Sequence, residues 1–271
     1  MSYCSHCGAK LPDAAHFCAS CGTPTVAETE LKETDYTLKV SDRPRVTVMN
    51  SASGSIDVKK GPDAEVSVKF DLMKPDAFYW DVSQDDNTVT VTCRSRSSMN
   101  WIDWPMHIFS VSPRAKIHVL VPMKSDLVLE NRAGRITVVD VKGEISAESS
   151  AGKLRIQDCE GTIRARTKAG SIDLENVNGT VFARSSAGAI SYLGELSKGE
   201  NWFRTSVGSI DLVLRGKPDL RIEASTMLGR IKCRPDLADA RFERRRLRGT
   251  IGAGTGRLHA ETKTGRVSIH Y

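Results

Sequence analysis

The chain opens with two cysteine pairs, CSHC at 4–7 and CASC at 18–21, with ten residues between them. Cys4, Cys7, Cys18 and Cys21 offer four thiolates, the donor set of a tetrahedral Zn²⁺ site. A Cys-x-x-Cys pair forms a tight knuckle that puts both sulfurs on one ion. Gly8 and Gly22 follow the pairs, where the bend beyond each knuckle favours a residue without a side chain. A disulfide pair or a redox Cys-x-x-Cys would compete for the same residues, but two spaced pairs point to zinc more specifically than one would. His6 and His16 lie close enough in sequence to replace a cysteine. Four thiolates leave no open coordination position, so the expected single ion is structural rather than catalytic.

A segment of about 20 residues cannot build a sufficient core. Structural zinc binding, worth an apparent ~10–16 kcal/mol, can fold it. The stretch YCSHCGAKLPDAAHFCASCG resembles the small zinc-ribbon domain found at the ends of many prokaryotic proteins. The resemblance implies the four cysteines as ligands and nothing further. Residues 1–22 carry one lysine, Lys10, and one acid, Asp13, and a Zn(Cys)₄ centre adds negative charge. That is a poor surface for phosphates, so nucleic acid is disfavoured and a protein contact is expected. Residues 23–35 are polar and unpatterned and read as a linker.

The rest of the chain repeats one phrase. Gly134, Gly152, Gly170 and Gly188 are each 18 residues apart; Gly208 follows after 20 and Gly229 after 21. Gly143, Gly161 and Gly179 form a second series nine residues after the first three. Self-similarity at this period marks a solenoid. Two past each main glycine stand Ile136, Leu154, Ile172, Ile190, Ile210 and Ile231; four past stand Val138, Ile156, Leu174, Tyr192, Leu212 and Cys233. The residues between are polar, the alternation of a half-buried strand. The second glycine series opens another strand whose inner residues are Ile145 and Ala147, Ile163 and Ala165, Val181 and Ala183. The expected fold is all-β: a right-handed parallel β-solenoid over 36–271, with about two short strands per 18–21-residue turn, preceded by the zinc ribbon.

The stretch KIHVLVPMKSDLVLENRAGRITVVDVKGEISAESSAGKLRI resembles the bacterial β-solenoid family called "putative adhesin", a domain of unknown function. The resemblance covers about 36–271. It implies the solenoid fold, and its label implies adhesion; it supplies no catalytic residues.

Composition narrows the task. Among 271 residues, 39% are hydrophobic and 27% charged, so most of the chain can fold around a core. A net charge of +6 is too small to demand nucleic acid. No apolar run reaches the ~20 residues of a transmembrane helix, and MSYCSHCGAK lacks the apolar centre of a signal peptide. Three further cysteines, Cys93, Cys159 and Cys233, stand singly, which fits a reducing compartment and a cytoplasmic location.

Two other clusters could contact a partner. Trp101, Trp104 and Phe109 crowd into RSRSSMNWIDWPMHIFSVSPR at 94–114. They either anchor a partner or, as favoured here, fold back to cap one end of the solenoid. RFERRRLR at 241–248, with Arg244, Arg245 and Arg246 at its centre, could hold phosphate, lipid headgroups or an acidic protein, but reads first as a solvated loop between coils. Asp57, Asp173 and Asp211 recur on outward strand positions a full turn or more apart, so they build no paired-carboxylate site. His107, His118, His259 and His270 accompany no nucleophile pattern.

These features favour a non-enzymatic scaffold that binds another, unidentified protein. One alternative is self-association into filaments through a bare C-terminal coil at TGRVSIHY. Another is a carbohydrate-binding adhesin or polysaccharide-active enzyme, which would need an acidic or aromatic groove and an exported chain.

Overall fold

The computed structural model describes residues 2–3, 9–11, 31–96 and 113–271. Cys4, Cys7, Cys18 and Cys21, and Trp101, Trp104 and Phe109, lie outside the described residues, so the zinc-ligand and aromatic-cap expectations are not placed by it. Ser2–Tyr3 pairs antiparallel with Lys10–Leu11, bracketing the first Cys-x-x-Cys in the sequence.

Residues 31–96 and 113–271 form a β-solenoid with two walls, and no α-helix occurs among the described residues. A regular turn has a ten-residue strand on one wall and a four-residue strand on the other. Lys142–Ala151 with Leu154–Gln157, then Glu160–Ala169 with Ile172–Glu175, are two such turns. The return corner uses a left-handed residue, Asp140, Asp158 or Asn176, with φ of 59°, 54° and 53°. Short polar Asp and Asn tolerate that conformation better than other side chains.

Parallel pairing stacks the expected column in register. Ile136, Leu154, Ile172, Ile190 and Ile210 are successive partners and all at most 1% exposed. The alternation buries one face of every strand without needing a helix to cover it. Ile231 and Cys233, in the edge strand Ile231–Cys233, are only half-buried.

The corner between the walls explains the glycines. Gly54, Gly134, Gly152, Gly170, Gly188, Gly208, Gly265 and Gly229 stack in that spatial order. A Cβ on any of them would lie 1.7–2.2 Å from the carbonyl oxygen of the residue stacked before it. Three residues ahead of the corner glycine, an inward polar side chain satisfies a neighbouring corner carbonyl. Ser185 Oγ donates to Gly170 O at 3.0 Å, Thr205 Oγ1 to Gly188 O at 2.9 Å, Thr262 Oγ1 to Gly208 O at 3.0 Å and Thr226 Oγ1 to Gly265 O at 3.1 Å. Asn131 Nδ2 does the same for Gly54 O at 3.0 Å. This ladder satisfies the carbonyls it reaches in the tight corner and is interrupted at Ser149, whose buried hydroxyl has no partner.

Spatial order departs from chain order at both ends, which corrects the simple stacking expected from the glycine spacing. Arg45–Lys60 is one long strand that crosses both walls, and it lies between the turn formed by Thr88–Ser95 with Arg114–Val121 and the turn formed by Asp126–Ala133 with Ile136–Val139. At the other end the last coil, Gly256–Thr264 with Val267–His270, sits between Glu200–Val207 with Ile210–Leu214 and Leu220–Leu228 with Ile231–Cys233. The C-terminal coil is therefore interior, and the bare terminal coil invoked for filament growth does not exist. RFERRRLR is no loop between coils either. It spans the hairpin of Ala238–Glu243 and Arg246–Ile251, which pairs antiparallel with Leu220–Leu228 while Leu247 fills the core. The linker boundary also moves. Leu31–Lys39 is a strand paired antiparallel with Glu65–Met73, because an edge strand pairs through its backbone and needs no apolar alternation.

Candidate functional site

The outer surface of the long-strand wall carries two side-chain columns set by the corner glycines. Six residues before the corner, Ser146, Arg164, Phe182, Trp202 and His259 occupy successive rungs. Four residues before it, Glu148, Arg166, Arg184, Arg204 and Glu261 do the same. Rungs of a parallel sheet lie ~4.8 Å apart, so three guanidinium groups are anchored in a row along the solenoid axis.

Their neutralisation is uneven. Arg166 Nη1 lies 2.9 Å from Glu148 Oε1, and Arg204 Nη2 lies 3.3 Å from Glu261 Oε1. Arg184, between them, reaches no carboxylate among the described residues. Arg164, beside it, meets none either; its guanidinium carbon stands 5.3 Å from the Phe182 ring centroid. Trp202 is 39% exposed, and His259 covers one side of its indole with centroids 4.0 Å apart and an interplanar angle of 10°. His259 is itself held between Glu200 at 3.3 Å and Glu223 at 3.6 Å. Arg164, Arg166, Phe182, Arg184, Trp202 and Arg204 line a shallow depression of ≈ 300 Å³. Like charges directly opposite on neighbouring strands are destabilising, so the uncompensated Arg184 costs the free protein something.

The short-strand wall is different. Asp57, Thr137, Arg155, Asp173, Ser191 and Asp211 follow one another there. Lys153 pairs with Asp173, Ser191 Oγ donates to Asp173 at 2.8 Å, and Arg155 and Gln157 meet Glu175 at 3.4 and 2.7 Å. Its charges are largely matched within the wall, and the recurring aspartates are separated by intervening rungs.

With this geometry in view, residues 125–270, more than half of the chain, match the family model described as Toastrack DUF4097. The chain belongs to the Toastrack DUF4097 family. A zinc-ribbon domain model matches residues 3–25, which points to zinc binding at the N-terminus. Among solved structures, a "putative cell adhesion protein" from Clostridium sporogenes is 10% identical and has a TM-score of 0.39, covering 88% of this chain and 99% of its own. A "putative adhesin" from Bacteroides fragilis is 12% identical with a TM-score of 0.39, covering 89% and 98%. A "putative lipid binding protein" from Parabacteroides distasonis is 11% identical with a TM-score of 0.26, covering 88% and 97%. No curated protein matches the chain.

The Toastrack match begins after the first coils, yet residues 31–96 and 113–124 continue the same two walls outside it. Of the residues singled out from sequence, Arg244, Arg245 and Arg246 lie at the hairpin turn, with Arg246 two rungs beyond Glu261 in the same column. Arg245 donates to the Met227 carbonyl, and Arg246 and Arg248 reach Glu223 at 3.7 and 3.0 Å, so much of this charge ties the hairpin down. Cys93, Cys159 and Cys233 are free thiols; burial pushes each up to about 11, so none supplies a thiolate near neutral pH. The residues that sequence reading missed, Arg166, Arg184 and Arg204 with Phe182 and Trp202, were marked by the same glycine alignment, at a constant offset from the corner.

Proposed function

We propose that this Toastrack protein is a non-catalytic binding scaffold of a reducing, cytoplasmic environment. A zinc ribbon, with one structural Zn²⁺ on Cys4, Cys7, Cys18 and Cys21, is joined to a rigid solenoid that presents its long-strand wall to a macromolecular partner. The observation that carries the reading is the arginine row with its uncompensated centre, beside the partly exposed Phe182 and Trp202 on a hydrogen-bonded parallel sheet. Binding rather than catalysis is supported by the chemistry of the depression. Guanidinium groups stay protonated, so they hold anions but move no protons. The donor set CSHC and CASC suits a closed zinc site, and the free thiols at Cys93, Cys159 and Cys233 fit a reducing compartment.

A photo-crosslinking residue placed at position 184 in the full chain, in its native cells, tests the reading, with position 155 on the opposite wall as reference. Discrete adducts at 184 and none at 155 are expected. No adducts at 184, or the same adducts at both positions, would overturn it.

A further inference from the structure

Resting on that reading, we propose that the partner is an extended acidic segment of another protein, its carboxylates on Arg164, Arg184 and the inner edges of Arg166 and Arg204, with an apolar side chain against Phe182 and Trp202. The extent of the positive row argues for this occupant. Glu148 closes the row at one end and Glu261 at the other, so the three arginines span two rung intervals, roughly 10 Å. An extended peptide covers that distance in about three residues at ~3.3 Å each. Glu200 and Glu223, which flank His259, are paired with Arg257 and with Arg246 and Arg248, but within the arginine column Glu130 precedes Glu148 at one end and Glu261 follows Arg204 at the other. A nucleic acid strand, a sulfated polysaccharide or an anionic bilayer is negative over far greater lengths and would meet the carboxylates at these two ends. A short acidic segment would not.

The arginines are also prepared for the task. Arg166 and Arg204 each engage, through one nitrogen, a glutamate on the rung away from Arg184. A guanidinium has five donors, so one pairing does not exhaust it. Arg184 gains a partner only when a ligand arrives, and charge-assisted contacts at one charged group change affinity by roughly tenfold or more. The aromatic column adds an apolar anchor within the same depression, the kind of centre that carries binding energy at interfaces.

The test uses the full chain and fluorescence polarisation of a short labelled peptide with glutamates at alternate positions around one phenylalanine. Its glutamine counterpart, an oligothymidylate, a heparin fragment and phosphatidylglycerol vesicles are run beside it. The glutamate peptide is expected to bind, weakening with salt, and to lose roughly tenfold or more on Arg184→Glu and severalfold on Trp202→Ala. Arg155→Glu on the other wall should leave it unchanged. Arg184→Gln, which adds no repulsion, serves if Arg184→Glu perturbs the thermal transition. Binding of the oligonucleotide, heparin or vesicles in place of the peptide, lost with Arg184, would overturn the acidic segment and leave the binding wall standing. Peptide binding that ignores Arg184, or no binding by any probe, would overturn the inference; absence of crosslinks at 184 as well would remove the wall reading with it.

Discussion

Replacing Gly170 with alanine tests the physical basis of the repeat. The new Cβ would stand 1.9 Å from Gly152 O and 2.6 Å from Gly152 C, whereas ordinary contacts begin at 3.4 Å. Both obstacles are backbone, so no side chain can swing aside and the two coils must separate at the corner by more than an ångström. That opening strains the Gly152 N–H bond to Ala169 O at 2.8 Å and the Thr167 Oγ1 bond to Gly152 O at 3.4 Å. The backbone at φ +150° is a further obstacle for an L-residue. Strain of about 1–3 kcal/mol and two bonds at ~1 kcal/mol each give a cost of about 3–5 kcal/mol. Gly199→Ala is the reference, since its Cβ would meet only the Thr180 and Ser197 hydroxyls, at 3.3 and 3.4 Å, and should cost under ~0.5 kcal/mol. Urea unfolding compares the two, with amide exchange localising the loss to the strands on either side of Gly170, because stacked repeats need not unfold in one step. If Gly170→Ala came within ~1 kcal/mol of Gly199→Ala, the close backbone approach would not be what fixes glycine at the corner.

Thr205→Val should destabilise by about 1–2 kcal/mol in urea unfolding, because the Gly188 carbonyl loses its hydroxyl, whereas Ser149→Ala should be neutral or stabilising, since the buried Ser149 Oγ has no partner. The Thr255 hydroxyl, followed by the Thr255 and Gly254 amides, holds the Asp219 carboxylate below its ordinary range. Its stabilising contribution is therefore present above the unfolded carboxylate pKa of ~3.9 and is lost as pH falls through the folded value, so in acid titrations Asp219→Asn should lie below the parent at neutral pH and converge with it below about pH 4. Chelation of zinc should unfold residues 1–22 and leave the thermal transition of the solenoid unchanged, as read by circular dichroism; a shared transition would show that the metal organises both parts. Ending the chain at residue 255 removes an interior coil, so amide protection should fall in both Ile210–Leu214 and Leu220–Leu228, rather than at one frayed end.

The column from Ile136 to Ile210 was legible because each turn repeats the same alternation at nearly constant spacing, and local pattern suffices to orient a strand. The placement of the last coil was not. TMLG at 226–229 and TKTG at 262–265 carry the same threonine and glycine, so either could follow Gly208. The choice rests on long-range pairing: the hairpin of Ala238–Glu243 and Arg246–Ile251 occupies the far side of Leu220–Leu228, leaving the slot beside Glu200–Val207 for Gly256–Thr264. The arginine row was hidden for another reason. Arg166, Arg184 and Arg204 share one offset from the glycines but each read as an ordinary solvated charge, and only the structure shows that the middle one lacks a counter-charge.

The interior position of the last coil bears directly on the binding wall. Glu261, which closes the arginine row, and His259, which stacks on Trp202, both belong to Gly256–Thr264. The row and most of its aromatic column come from turns at 160–207, but the boundary that limits its positive extent arrives only when the C-terminal strand has inserted. A chain lacking that coil would expose Arg204 without Glu261 and an indole without its imidazole cover, together with the unsatisfied edge of Glu200–Val207. Such a surface would attract long polyanions and other strand edges indiscriminately. Selectivity for a short acidic segment is thus a property of the completed solenoid, not of the arginines alone.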